Sequence, residues 1–168
     1  MPETNAPPAA PHVEGTPCVE GWFTTDAPPA LLGSVCDECG TVVFPPGSGP
    51  CPNPRCTADL VGTRRLSTRG RIWSYTDARY QPPPPFIPMT DPYEPFTIAA
   101  VELADEAIVV LGQLVDGVGP DDVAVGDEVE LVIAPLHDVD GETRVTWKWK
   151  PVDEAGDEAG EGKGSNDV

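Results

Sequence analysis

Four cysteines constrain this chain more than any other feature. Cys36 and Cys39 are separated by two residues, eleven residues follow, and Cys51 and Cys56 are separated by four. A tetrahedral zinc site takes four soft ligands at about 2.3 Å, and two cysteines two residues apart reach one ion from a single tight turn. Gly40, directly after Cys39, suits the bend of such a knuckle. The second pair, Cys-Pro-Asn-Pro-Arg-Cys, spans a wider loop that Pro52 and Pro54 stiffen. Residues 34–60 are rich in Pro and Gly and carry too few apolar side chains to fold without a cross-link. The pattern predicts one structural zinc ion on Cys36, Cys39, Cys51 and Cys56, because four thiolates leave no position for water or substrate. Iron on the same thiolates and a pair of disulfides are the competing readings. Cys18 is the odd cysteine, read as a partly buried small residue.

Both ends lack apolar periodicity. Residues 1–15 are rich in Pro and Ala, and residues 153–168 carry six acids against Lys163. Neither stretch buries enough apolar surface to offset its ordering entropy, so both are expected to be disordered. The whole chain has 28 acids and 10 bases, and the part between the tails keeps 20 acids against 9 bases, a net charge of −11. Binding to polyphosphate depends on Lys and Arg displacing counterions. A body this acidic is expected to bind neither nucleic acid nor membrane. One local exception is the cluster Arg64, Arg65, Arg69, Arg71 and Arg79. It is read either as a grip for a small phosphate or as partners for surface acids. No segment approaches the roughly 20 apolar residues of a membrane span, and no signal-peptide pattern opens the chain, so a cytoplasmic location is expected.

Residues 17–33 hold Trp22 and Phe23 ahead of Pro28-Pro29, and a short helix is predicted around Cys18–Thr24. From Leu66 onward the pattern is β. Five strands are predicted at 70–78, 96–104, 108–115, 128–134 and 144–150. In the fourth, Val129, Leu131 and Ile133 share a face; in the fifth, Val145, Trp147 and Trp149 do. The third is apolar throughout and is expected to be covered on both faces, with a bulge or coil at Gly112. Asp140-Gly141 suits a tight hairpin, and the segment Pro120–Val123 allows one helical turn. The 81–95 connection carries four consecutive prolines and is too long for a bare linker. Five strands with unequal loops fit a small Greek-key barrel of the OB type.

The chemistry of a self-sufficient active site is missing. Of two histidines, His12 lies in the N-terminal arm and His137 beside Asp138, with no nucleophile motif near either. There is no phosphate-binding loop or dinucleotide fingerprint. Binding is the better expectation. Trp22 and Phe23 read equally as partner anchors or as core, and the Trp147–Trp149 face reads as core.

The order of motifs resembles a known family. It runs C-x2-C-G, F-P-P, C-P and C, then G-x-I-W-S-Y-T, P-Y-x-P-F-x-I-A-x-V-E-L, V-L-G-Q-L, G-D-E-V-E-L and W-K-W-K-P. This resembles the rubredoxin-like zinc-ribbon/OB-fold proteins that accompany thiolases and lipid-transfer-type thiolase homologues. The resemblance covers about residues 20–152. It implies an N-terminal helix and zinc ribbon over 16–62 and an OB barrel over 63–152; the arm over 1–15 and the acidic tail over 153–168, read from composition as disordered, lie outside it. It implies a non-catalytic subunit of a thiolase or retro-aldolase complex acting on an aromatic, steroid or fatty acyl-CoA. A thiolase-fold partner would supply the catalytic residues, in a heterotetramer of two subunits each. The barrel would help bind or channel acyl-CoA, and the ribbon and N-terminal helix would help dock the partner. The C-x4-C pair departs from the commoner C-x2-C, and no CoA-contacting residue can be carried over. The alternative function for a zinc ribbon joined to an OB barrel is a single-stranded nucleic-acid module, which needs a basic groove lined with aromatics.

Overall fold

The computed structural model describes residues 14–152. The two predicted disordered tails therefore lie almost wholly outside the described residues. Eleven strands form: β1 Thr16–Pro17, β2 Leu32–Val35, β3 Val42–Val43, β4 Gly49–Pro50, β5 Asp59–Leu60, β6 Arg64–Arg65, β7 Arg69–Ala78, β8 Phe96–Leu103, β9 Val109–Leu114, β10 Glu128–Val139 and β11 Glu142–Pro151.

The last five close a barrel. β7 pairs with β8 and β8 with β9, both antiparallel; β10 joins β7 to β11; and a parallel contact between β9 and β11 shuts the cylinder. Closure leaves no long free edge among these five. The interior is filled by Ile72, Val101, Leu103, Val110, Val129, Leu131 and Trp149, all buried. Each such aliphatic side chain contributes about 1.5–3 kcal/mol by leaving water. Gly112 faces Trp149, and a Cβ there would sit 2.7 Å from the indole nitrogen. The β8–β9 register runs unbroken from Ile98↔Gln113 to Glu102↔Val109. The glycine thus makes room for two indoles; the bulge expected at this position does not form.

The hairpin at Asp140-Gly141 has φ values of 52° and 81°, the left-handed pair that a two-residue turn between twisted strands requires. β10 is longer than the 128–134 expectation. Its pairing jumps from Pro135↔Val145 to His137↔Arg144, and this bulge carries the strand past a proline that cannot donate to a ladder. The expected helical turn at Pro120–Val123 is a single turn in which the Asp122 N–H donates to the Gly119 carbonyl.

Among the described residues no helix forms, which corrects the expectation for Cys18–Thr24. Gly21 adopts φ +77°, outside the helical region, two residues before Phe23. The Thr24 N–H donates to the Ala30 carbonyl, Leu32 N–H donates to Trp22, and Phe23 bridges Leu31. A seven-residue stretch is below the length at which a helix holds itself together, so cross-strand bonds win.

The ribbon has two small sheets, β3-β2-β6 and β4-β5. Its joint with the barrel is aromatic. Trp147 of β11 lies 5.6 Å from Phe23, 5.8 Å from Phe44 and 6.3 Å from Trp22, centroid to centroid. Leu31 and Leu66 are buried in the same cluster as the barrel core.

Candidate functional site

Two features carry chemistry: the four thiols of the ribbon and a cleft at one mouth of the barrel.

The first knuckle forms because Gly40, at φ +72°, lets its N–H reach the Cys36 carbonyl at 2.8 Å while the Cys36 N–H donates to Thr41. The wider second loop closes through Asn53. Its carbonyl accepts the Cys56 N–H at 2.9 Å, and its side-chain oxygen accepts the Arg55 N–H at 3.0 Å. The four Sγ atoms then lie within 4.8 Å of one another, with Cys36–Cys56 at 3.7 Å and Cys39–Cys51 at 3.6 Å. A tetrahedron with metal–sulfur bonds of 2.3 Å has edges of about 3.8 Å. The donor set and its spacing therefore fit a single tetrahedral ion with no open position. All five described cysteines are free thiols, which does not fit the disulfide alternative.

Electrostatics point the same way. The Thr41 hydroxyl and N–H hold the Cys39 thiol down to about 6. The Ala58 N–H also favours the Cys56 thiolate, but burial and the neighbouring sulfurs outweigh it and push that thiol up to about 12. Four clustered thiols resist losing all their protons; a divalent cation among them removes that resistance.

Ser34, fully buried, was not singled out by the sequence. Its hydroxyl accepts the Gly47 N–H at 3.1 Å and lies 2.9 Å from the Gly47 carbonyl and 3.0 Å from that of Gly62. Carrying one proton, it serves one carbonyl at a time and ties two ribbon loops to β2. A lone serine in a four-residue strand gives no sequence signal of this.

Trp22 and Phe23 both join the aromatic joint. Phe23 is 4% exposed and Trp22 is half-buried, so both pack within this chain. Trp149 is fully buried core, as expected, whereas Trp147 is half-buried against that core; its Nε1–H donates to the Leu111 carbonyl at 3.0 Å. Cys18 is half-buried, with its N–H given to Val145.

The arginines are neutralised one by one: Arg64 by Asp37, Arg65 by Asp26, Arg69 by Glu130, Arg71 by Glu128 and Arg79 by Asp77. They form no shared basic groove, and the nucleic-acid alternative gains nothing from them.

The cleft, of about 730 Å³, opens between the 81–95 loop, the 115–122 loop and the bulged end of β10. Its floor includes Phe96, Thr97 and Leu114, and its rim carries Asp77, Glu94, Asp116, Asp122 and Asp138 beside His137. Asp116 reaches the ammonium of the fully buried Lys148 at 2.5 Å. A rim of five carboxylates disfavours phosphate groups. The 81–95 loop is held by a ladder of Phe86, Tyr93 and Phe96, and the Tyr93 hydroxyl donates to the Ala78 carbonyl at 2.5 Å. No helix is long and apolar enough to cross a membrane among the described residues.

Comparison with known proteins agrees with this architecture. The family described as the ChsH2 C-terminal OB-fold domain matches residues 63–134. A DUF35 domain-containing scaffold protein of Methanocaldococcus jannaschii is 30% identical over 80% of this chain and 91% of its own length. A second, from Methanothermobacter thermautotrophicus, is 35% identical over 72% of this chain and 86% of its own. The benzoylsuccinyl-CoA thiolase subunit BbsA of Thauera aromatica is 30% identical over 74% of this chain and 78% of that subunit. Among solved structures, the Ltp2-ChsH2(DUF35) aldolase aligns with a TM-score of 0.53 at 28% identity, covering 73% of this chain and 84% of that one. On its sequence, its closed barrel and its four-thiol ribbon, this chain belongs to the DUF35/OB-fold family of thiolase-associated proteins.

Proposed function

We propose that this chain is a non-catalytic scaffold subunit of a thiolase-type acyl-CoA complex, with a structural zinc ion on Cys36, Cys39, Cys51 and Cys56. The observation that carries the reading is the joint similarity, across most of the chain, to scaffold proteins, a thiolase subunit and an aldolase assembly. The catalytic residues belong to a thiolase-fold partner in the cytoplasm, with two copies of each subunit in the complex. Zinc is favoured by four thiolates at tetrahedral spacing, and free thiols suit a reducing compartment. Phe23 is engaged in packing, so any partner contact on that side falls to Trp22. The acidic cleft argues that the phosphates of a shared acyl-CoA rest on the partner, and that this chain's share lies in enclosing the less polar remainder.

Co-expression with a thiolase-fold protein from the same organism tests this. The expected result is a stable mixed complex with thiolytic or retro-aldol activity on an acyl-CoA, and no activity from this chain alone. A chain that stays apart from such a partner and leaves its turnover unchanged would sink the reading.

A further inference from the structure

Apolar side chains gather on the outer face of the barrel at β7, β8 and β9. The pairing of β7 with β8 jumps from Ile72↔Val101 to Ser74↔Ala100, so Trp73 is an extra residue. Such a bulge turns two successive side chains to one side. Trp73 and Ser74 are both exposed, whereas Ile72 is buried and Tyr75 packs against the core. Ser74, Ala100 and Leu111 lie in one row across the three strands, and Val109, two residues from Leu111, shares its face. Val125 borders the row beside Trp73, because the next residue, Gly126, donates its N–H to the Ile72 carbonyl at 2.8 Å.

Trp73 and Leu111 are each 63% exposed, Val125 66% and Val109 46%. Single exposed hydrophobics mean little. Here four of the eight large exposed hydrophobics among the described residues converge on one patch, and such gathering marks an interaction surface. Tryptophan at its centre is the residue type that most often anchors one.

We infer that this face is where the catalytic partner docks, an inference that rests on the subunit reading above. Charge selects that occupant over a second copy. The chain carries −18, so pairing two copies here would bring two strongly acidic bodies together. The rim says what the partner presents. Arg71 is tied to Glu128, but Glu102, register partner of Val109, is exposed and has no side-chain partner among the described residues. The partner's matching surface is apolar at its centre, with a Lys or Arg opposite Glu102.

The test measures the dissociation constant of the chain for its co-expressed thiolase-fold partner. Trp73→Ala and Leu111→Asp are each expected to weaken binding at least about tenfold, and Glu102→Lys to weaken it and flatten its salt dependence. The control Val61→Asp, at an exposed ribbon position, is expected to leave it unchanged. Each variant is checked for wild-type circular dichroism and metal content. Hydroxyl-radical footprinting of the wild-type complex, which needs no variant, is expected to protect Trp73. Wild-type affinity in both apolar variants, with Trp73 unprotected, overturns the docking face while the subunit reading stands. Failure of the wild-type chain to bind any thiolase-fold partner overturns both. A concentration-dependent homodimer that Trp73→Ala abolishes also overturns the inference.

Discussion

Trp147 is the residue on which ribbon and barrel depend jointly, and its removal has a calculable cost. Its ring meets Phe23, Phe44 and Trp22, and its Nε1–H serves the Leu111 carbonyl. Truncating a core Trp to Ala typically costs about 3–5 kcal/mol. Trp147 is half-buried, but three aromatic pairs, each contributing about 0.5–1.5 kcal/mol beyond burial, place this site near the lower end of that range, about 3 kcal/mol. A domain of this size holds only about 5–15 kcal/mol in total. At a urea slope of about 2 kcal/mol/M, Trp147→Ala should lower the unfolding midpoint by about 1.5 M. Trp147→Phe keeps most of the packing and loses the hydrogen bond, for about 1 kcal/mol. Equilibrium urea unfolding followed by circular dichroism measures both. Metal content should be unchanged in either variant, because Cys36, Cys51 and Leu60 form a separate cluster. If the reasoning about a shared joint is sound, partner affinity falls with Trp147→Ala while metal stays bound. A loss below about 1 kcal/mol would refute it, since the ribbon would then stand without the barrel.

Three further outcomes are expected. Cys36→Ser or Cys51→Ser should release the metal, read by a chromogenic chelator, while the barrel's circular dichroism persists; wild-type metal affinity should fall as pH falls, more steeply below about pH 6, where Cys39 takes up its proton. Gly112→Ala places a methyl 2.7–2.9 Å from the Trp149 and Trp147 indoles and should cost about 1–3 kcal/mol by thermal melting, more than Ala substitution at Gly119, whose nearest neighbour is at 3.5 Å. Asp116→Ala strands the buried Lys148 ammonium and should cost about 1.5–3 kcal/mol, most of it recovered in the double variant with Lys148→Met.

The barrel strands were legible because half-buried strands alternate, and Val129-x-Leu131 and Val145-x-Trp147-x-Trp149 alternate plainly. The hairpin was legible because Asp-Gly is one of the few pairs that suit two left-handed residues in a row. The thiol set was legible from spacing. The N-terminal segment forms no helix because Trp22 and Phe23 are held by Trp147, over a hundred residues away on β11. Long-range packing of that kind leaves no local period. The same applies to Ser34, whose partners are backbone groups of other loops, and to the Trp73 bulge, which adds one residue to a strand without a Gly or Pro to mark it.

β9 shows how a misreading can carry information. Its run of Val109, Val110, Leu111 and Leu114 was expected to be covered on both faces. Val110 and Leu114 are indeed buried, but Val109 and Leu111 face solvent. The inference from composition to coverage assumed that one chain supplies the cover. A free-standing antiparallel barrel needs only one apolar face per strand, with polar residues outside. A strand apolar on both faces, in a chain that covers only one, has a hydrophobic pattern written for more surface than the chain itself buries. Trp73 on β7 and Val125 beside it extend the same excess beyond β9, which a random exposed Leu would not. Replacing Leu111 with Thr should therefore leave the isolated chain's stability within about 0.5 kcal/mol, as at an ordinary surface site, yet weaken the assembled complex. Comparable losses in the isolated chain and the complex would mean that Leu111 serves the fold and not an interface.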